Sequence, residues 1–384
     1  MSVTAARGFR AAGVAAGLKA AGGLDLALVV NDGPSDVAAG VFTRNRVRAA
    51  PVLWSQQAVS DGRLRAVVLN SAGANACTGP DGFADAHRTA ERVASAVGIG
   101  AGEVAVCSTG LIGERLPMAE LLAGVDAAAV AVRVDGGAAA ADAIRTTDTV
   151  SKQAHVTHAD GWSVGGMAKG AGMLAPGLAT MLCVLTTDAG LDAFTADQAL
   201  RAATRTTFDR IDADGCMSTN DTVVLLASAA SGVTPTAAAF IDALRAVCAE
   251  LAAQLIADAE GATKRVRVEV VGAAAEDDAV EVGRSIARNN LLKCALFGND
   301  PNWGRVLAAI GTTSADFEPA QLDVAINGVQ VCRGGAAGED RSRVDLSGRD
   351  VHIRADLHAG TAAATIWTSD LSHGYVEENS AYSS

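Results

Sequence analysis

Short apolar runs alternate with longer stretches of helical periodicity along most of the chain. Residues 26–30 and 64–69 are apolar runs of strand length, whereas 81–97 and 117–132 have the composition and spacing of helices. An alternation of this kind buries strands under helical layers, because each helix covers its apolar stripe against a sheet. The pattern therefore predicts a layered α/β or α+β core.

The second half of the chain continues the alternation. Residues 181–185 form an unbroken apolar run that predicts a buried strand, and 265–271 alternates like a half-buried strand. Further helices are predicted at 196–206, 236–259 and 277–292, and further strands near 322–326, 350–357 and 362–367. We expect a core over residues 1–282 and a smaller C-terminal α/β domain over 283–384.

Composition narrows the class of protein. The 384 residues are 49% hydrophobic but only 4% aromatic, as expected of a large core packed with alanine and valine. A net charge of -12 argues against a nucleic-acid partner, which needs clustered lysine and arginine. Arg7, Arg10 and Lys19 interrupt the apolar N-terminal stretch, and no window resembles a membrane span. We therefore expect a soluble cytoplasmic protein without a membrane partner.

Candidate metal and disulfide motifs are weak. The seven cysteines are scattered and include no CxxC pair, which predicts reduced thiols. His155 and His158 form an HxxH pair without further ligands, and 212–215 lacks the glutamate that would complete a calcium loop. We expect exposed histidines and a turn, and no metal.

A glycine-rich loop runs directly into the predicted strand at 181–185. The junction is Ala179, Thr180 and Met181, with Lys169 upstream. If the Thr180 hydroxyl attacks the Ala179 carbonyl and the resulting ester is hydrolysed, the chain is cut and Thr180 gains a free α-amine. Such an amine has an ordinary pKa near 7.7–8.0, so it can act as the general base for its own hydroxyl. The junction therefore suits a self-generated N-terminal nucleophile.

Several segments, in one order along the whole chain, closely resemble the ornithine acetyltransferases, also called glutamate N-acetyltransferases. The most specific are KGAGMLAPGLATMLCVLTTDA from Lys169, CSTGLIGERLPM from Cys107 and the terminal ENSAYSS. The other matching blocks are GVFTRN, LNSAGANACTG, TTD, STNDT, DAEGATK and GNDPNWGR. We have no role for GNDPNWGR beyond a tight turn with Trp303 as a packing anchor.

The resemblance implies a fold, a reaction and a set of site residues. The fold would be an αββα sandwich, cleaved between Ala179 and Thr180 into fragments 1–179 and 180–384 that assemble as an α2β2 heterotetramer. The reaction, part of arginine biosynthesis, would be ping-pong, moving an acetyl group from N-acetylornithine to glutamate through an ester on Thr180. The matching oxyanion-hole positions are Thr109 and Gly110.

Substrate contacts are implied at Thr146, Lys169, Thr180, Glu260, Asn379 and Ser384. Lys169 could pair with a substrate carboxylate and Glu260 with a cation. The resemblance implies no cofactor, and it leaves open whether acetyl-CoA also serves as a donor, since the chain has no phosphate-binding GxxxxGK[ST] motif.

Two alternatives differ in their chemistry. A related self-cleaving amidase or aminopeptidase would transfer the acyl group to water, so acetate would accumulate instead of acetylated glutamate. A non-enzymatic binding protein would keep the bond between Ala179 and Thr180 intact.

The resemblance implies that the C-terminal tail contacts substrate, and this can be tested. If Asn379 and Ser384 contact substrate, a tag appended after Ser384 should weaken activity more than the same tag placed before Met1. Steady-state kinetics of the two tagged proteins measure the difference. Equal kinetics would contradict a role for the tail.

Overall fold

The computed structural model describes residues 2–175 and 181–381. Its strands are β1 (Phe9–Val14), β2 (Leu26–Asn31), β3 (Val37–Phe42), β4 (Ala66–Asn70), β5 (Val104–Ser108), β6 (Lys152–Thr157), β7 (Ser163–Lys169), β8 (Leu182–Thr187), β9 (Thr222–Ala227), β10 (Arg265–Ala273), β11 (Asp323–Ile326), β12 (Val329–Arg333), β13 (Ala336–Ala337), β14 (Asp350–Asp356) and β15 (Ala362–Ser369). Its α-helices are α1 (Ala50–Ala58), α2 (Gly79–Val97), α3 (Met118–Ala131), α4 (Gly137–Ala143), α5 (Ala193–Thr206), α6 (Ala237–Ala257), α7 (Glu276–Arg288), α8 (Asn290–Phe297), α9 (Trp303–Ile310) and α10 (His373–Ala381).

Two sheets pack face to face at the centre of the molecule. The first has the strand order β1-β2-β4-β5 and the second has the order β3-β9-β8-β7-β6. Apolar side chains from both sheets, among them Val29, Leu69, Met167 and Val184, form one buried cluster between them. Helices α2 and α3 cover the outer face of the first sheet, and α5 and α6 cover the second. The predicted αββα sandwich is confirmed.

The second sheet joins distant parts of the chain. Its strands β8 and β9 are buried along their whole length, and β8 corresponds to the apolar run predicted at 181–185. β7 pairs antiparallel with β8, placing Lys169 opposite Leu182, and β3 pairs with β9, placing Phe42 opposite Thr222. These pairings bring the end of β7 and the beginnings of β8 and β9 to the same edge of the sandwich.

A third sheet follows, with the order β13-β12-β11-β14-β10-β15. Its core is formed with α7, α8 and α9. β10 runs parallel to β14 and antiparallel to β15, and its inward residues alternate with half-buried ones, as predicted for 265–271. The predicted domain boundary between residues 282 and 283 falls inside α7, and this C-terminal layer begins with β10.

The single helix predicted at 277–292 is wrong. α7 ends at Arg288, because Asn289 has φ -71° and ψ 100°, outside the helical region. Its side chain instead accepts a hydrogen bond from the Leu292 N–H at 2.9 Å and caps α8. The GNDPNWGR block behaves similarly, because its turn ends where Asn302 caps α9 and Trp303 packs partly buried against the third sheet's core.

The two histidines of the HxxH pair have different environments. His155 is exposed, as predicted, whereas His158 is half-buried and stacks on the buried Trp162 with ring centroids 4.7 Å apart. All seven cysteines carry free thiols. Within the ranges described, no cluster of His, Cys, Asp and Glu is arranged as a metal site, and no helix is long and apolar enough to cross a membrane.

The C-terminal helix α10 docks closely against the turn that follows α6. Gly261 in this turn has φ +59°, and a Cβ there would lie 2.1 Å from the Tyr375 backbone nitrogen. The Ser372 hydroxyl donates to the Gly261 carbonyl. Only glycine allows this approach, since any side chain would be strained and would collide with the helix.

We therefore expect Gly261→Ala to displace α10 and to lower the unfolding free energy by about 1–3 kcal/mol, the usual range for a strained backbone. Urea denaturation measures the loss, and proteolysis of the tail reports the displacement. Gly102→Ala is the matched control, because a Cβ at Gly102 meets no atom within 4 Å. Equal stability of the two variants would contradict the docking argument.

Candidate active site

A pocket opens where β5 and β7 end, between the two central sheets. Its described lining comprises Ala74, Thr109, Gly110, Ile112, Thr146, Thr147, Lys169, Gly172, Met173, Ser218, Thr219, Asn220, Glu260 and Asn379. Every site residue predicted above that the structure describes is in this set. Ala179, Thr180 and Ser384 lie outside the described residues, so their predicted roles stay predictions.

The turn after β5 supplies the predicted oxyanion-hole positions. Thr109 is only 6% exposed, and its backbone N–H donates to the Asn70 carbonyl at 3.0 Å. Gly110 has φ +132°, and a Cβ there would lie 2.7 Å from the Gly73 nitrogen. The position therefore requires glycine, and the turn is held against the neighbouring loop.

Lys169, the last residue of β7, is buried with 2% exposure. Its Nζ donates to the Thr146 hydroxyl at 2.6 Å and to the Thr109 hydroxyl at 3.4 Å. The structure thus brings together three residues that are 37 and 23 positions apart in sequence. A lysine cation at this point lies beside the predicted oxyanion hole.

Asp148 compensates the buried lysine charge. Its Oδ2 lies 3.9 Å from the Lys169 Nζ, and its Oδ1 accepts from the Lys152 Nζ at 2.6 Å and the Gly170 N–H at 2.7 Å. Burial alone would raise the pKa of Asp148, but the charges of Lys169 and Lys152 and the Gly170 hydrogen bond outweigh it, and the pKa falls to about 2. Burial lowers the pKa of Lys169, and Asp148 partly offsets this effect.

The opposite wall of the pocket carries a carboxylate. Glu260 accepts from the Thr147 hydroxyl at 2.7 Å through Oε1 and from the Asn379 amide at 2.9 Å through Oε2. A Cβ on Gly172 would lie 2.4 Å from Glu260 Oε2, so the loop after β7 passes directly over this carboxylate. Asn379 lies on α10, and its predicted approach to the site therefore depends on the docking of that helix.

Asp221 holds the beginning of β8 in place. Its Oδ1 accepts from the Met181 N–H at 3.2 Å, and Met181 is covalently bonded to Thr180. Burial raises the pKa of Asp221 well above its ordinary value, an effect that the Met181 hydrogen bond only partly offsets. The hydrogen bond from Met181 therefore fixes the beginning of β8 beside the pocket.

Reasoning from the sequence did not assign Asp148, Asp221 or the 218–220 wall. Asn220 donates to the Ala74 and Ser108 carbonyls at 2.7 and 2.8 Å, joining the two sheets at the pocket. One sequence feature could have pointed to these residues: Asp148 lies in the TTD block, and residues 218–221 lie in the STNDT block. Neither block has a spacing that predicts a charge partner on a distant strand.

A pocket between the sheets of an αββα sandwich, with a buried lysine on one wall and a carboxylate on the other, defines an enzyme of the layered α/β class that acts on small molecules. The sequence pattern of the ArgJ family matches residues 10–384. The chain belongs to the ArgJ family.

Relatives match over the full length. The arginine biosynthesis bifunctional protein ArgJ of Streptomyces avermitilis is 69% identical over 384 residues, covering all of both chains. The protein of the same name from Thermobifida fusca is 66% identical over 383 residues, again covering all of both. A solved chain of the Mycobacterium tuberculosis ornithine acetyltransferase, complexed with ornithine, is 64% identical, covers 47% of this chain and 96% of its own, and has a TM-score of 0.46.

The charge network predicts a specific effect of Asp148→Asn. Removing one partner of a buried ion pair typically costs about 3–5 kcal/mol. Because its folded pKa of about 2 lies below the ordinary 3.8, Asp148 contributes stability above about pH 4, and this contribution is lost as the pH falls towards 2. Urea denaturation at several pH values should therefore show variant and wild type converging in acid.

The same substitution should also lower the pKa of Lys169 further, moving the alkaline limb of the kcat profile to lower pH. Asp258→Asn is the matched control, because Asp258 pairs with Lys152 at 2.6 Å but does not contact Lys169. We expect it to cost stability without moving that limb. A similar shift in both variants would show that Asp148 does not act through Lys169.

Proposed function

We propose that this chain is a self-processing N-acetyltransferase of arginine biosynthesis that moves the acetyl group of N-acetylornithine to glutamate. One observation carries the proposal: a single pocket presents a buried ammonium at Lys169 and a carboxylate at Glu260. Substrates that bear both an anionic and a cationic group match such a pair. Full-length relatives at 69% and 66% identity that are named arginine biosynthesis bifunctional proteins support the same function.

The first step in this proposal is cleavage of the chain. The Thr180 hydroxyl attacks the Ala179 carbonyl, the acyl group moves from nitrogen to oxygen, and water hydrolyses the ester. The products are a carboxylate on Ala179 and a free amine on Thr180. Asp221 would keep the adjoining Met181 in place throughout, since its contact does not involve the bond that breaks.

Acetyl transfer then takes two half-reactions. The freed Thr180 amine accepts the hydroxyl proton while the oxygen attacks the acetyl carbonyl of N-acetylornithine. The C–N bond breaks, ornithine leaves with the proton, and the acetyl group remains as an ester on Thr180. The amine of glutamate attacks this ester, so that N-acetylglutamate forms and the Thr180 hydroxyl is restored.

The described residues fit defined roles in these steps. The Thr109 hydroxyl and the Gly110 N–H would stabilise the oxyanion of each tetrahedral intermediate, and each such donor typically contributes a factor of about a hundred to a thousand in rate. Lys169, which donates a hydrogen bond to the Thr146 hydroxyl, would pair with the substrate carboxylate. Glu260, held by Asn379, would pair with the distal ammonium of ornithine, and Ser384 would make a further substrate contact.

The two fragments would stay together after cleavage. In the second sheet, β3, β6 and β7 precede the predicted cut, whereas β8 and β9 follow it, and β8 and β9 lie between β3 and β7. The backbone pairings therefore join residues on both sides of the cut. We propose that two such pairs form an α2β2 heterotetramer in the cytoplasm. We also propose that the enzyme accepts acetyl-CoA as an additional acetyl donor.

Intact mass spectrometry with a denaturing gel on wild type and Thr180→Ala tests the proposal. We expect two wild-type fragments meeting at Ala179 and Thr180 that co-purify under native conditions, and one intact, inactive mutant chain. With N-acetylornithine and glutamate, the wild type should form N-acetylglutamate.

Three outcomes would contradict this reading. Release of acetate without acetylated glutamate would indicate an amidase. An uncleaved wild-type chain with full transferase activity would remove the N-terminal threonine mechanism but leave the transfer reaction intact. Wild-type fragments that separate under native conditions would contradict the shared sheet.

A further inference from the structure

A second cavity, of about 710 Å3, lies where the loop after β3 faces α5, α7 and the segment after α5. Its walls carry six arginine side chains: Arg44, Arg48, Arg201, Arg205, Arg210 and Arg284. Two carboxylates, Asp209 and Asp277, are also in the wall. This concentration of cationic groups stands out in a chain with a net charge of -12.

Arg210 is the most deeply buried of the six, with 7% exposure. Its Nε donates to the Arg205 carbonyl at 3.0 Å and one terminal nitrogen donates to Glu276 at 2.5 Å. The other terminal nitrogen and the Nε of Arg284 are buried without a hydrogen-bond partner in the described part of the chain. Buried donors are nearly always satisfied, so these two indicate a missing acceptor.

Arg44 and Arg48 add positive charge to the cavity wall. Both are exposed on the loop after β3, and neither forms an ion pair with a described residue. In contrast, Arg201 pairs with Asp197 at 2.8 Å on its own helix. Burial lowers the pKa of Arg284. The negative charge of Asp212 raises this pKa, whereas the positive charge of Arg44 lowers it further. An anion bound here would relieve the repulsion between these guanidinium groups.

We propose that this cavity binds a small ligand bearing phosphate groups. Guanidinium groups bind phosphate oxygens in pairs, and arginines from separate elements can surround a multiply charged group. A volume of about 710 Å3 is within the range of small-molecule sites. The negative net charge disfavours a nucleic acid at the same place.

Hydrogen bonds connect the loop that forms one wall of the cavity to the active-site pocket. The Thr43 N–H donates to the Asp221 carbonyl at 2.9 Å, and the Ala49 N–H donates to the Thr219 carbonyl at 3.0 Å. Between them, the Asn45 amide donates to the Met217 carbonyl at 3.0 Å. The loop that carries Arg44 and Arg48 is therefore bonded to the segment that supplies Ser218, Thr219 and Asn220 to the pocket. Ligand binding at the arginines should alter the kinetics of the enzyme.

Isothermal titration calorimetry of the full-length protein with inorganic pyrophosphate tests the site directly. We expect saturable binding that weakens with added salt and falls about tenfold in Arg44→Gln and in Arg48→Gln, as for loss of one charge-assisted contact. Arg46→Gln is the matched control, since Arg46 is exposed on the same loop but does not line the cavity. Its affinity should stay within about twofold of wild type, because it loses only distant charge.

Titrations with orthophosphate and ADP show which kind of phosphate-bearing ligand the cavity prefers. Tighter binding of ADP than of pyrophosphate supports a nucleotide site, and equal affinity supports recognition of the phosphate groups alone. No saturable binding by wild type, or equal weakening in Arg46→Gln and Arg44→Gln, would overturn the site. Pyrophosphate that binds without changing kcat or KM would overturn the connection to the active site.

Discussion

The buried ammonium of Lys169 is the constraint around which the central part of this structure is built. A cation enclosed in the protein is tolerated only when charges and dipoles replace its hydration. Asp148 supplies the opposite charge, and Thr146 and Thr109 accept the hydrogen bonds. These partners belong to separate segments, so satisfying one side chain fixes the end of β7, the turn after β5 and the loop before β6 relative to one another.

The network extends beyond the pocket. Asp148 also holds Lys152, which in turn pairs with Asp258 immediately after α6. Two residues further on, Glu260 faces Lys169 from the opposite wall and receives the amide of Asn379 from the C-terminal helix. The two charged walls are therefore linked through these ion pairs and through the short backbone segment from Asp258 to Glu260. Gly261 adds the close backbone contact on which the position of that helix depends.

The sheet that carries Lys169 would also hold the site together if the chain were cut at the proposed junction. The strands on either side of residues 179 and 180 are neighbours in one ladder, and Asp221 on the loop before β9 binds the Met181 amide. Cleavage at that junction would create two chains but would leave every one of these hydrogen bonds in place. The proposed cut is compatible with this fold because the described contacts around the junction do not rely on the bond between residues 179 and 180.

The layered α/β class and about half of the elements could be read from the sequence, because buried strands such as β2 and β8 correspond to the unbroken apolar runs at 26–30 and 181–185. Motif resemblance also placed Thr109, Thr146, Lys169, Glu260 and Asn379 in one site, and the structure brings them together. The break between α7 and α8 was missed because it depends on one backbone conformation and one cap at Asn289.

Local periodicity and motifs are enough to indicate which segments are buried and which carry the candidate site residues, because both are properties of neighbouring residues in the chain. Three other features depend on the packed fold: Asp148 compensates Lys169, Asp221 anchors the residue after Thr180, and arginines from several separate segments line one cavity. Electrostatic partners act through space over a few ångströms, and residues far apart in the chain reach that distance only after the sheets have packed.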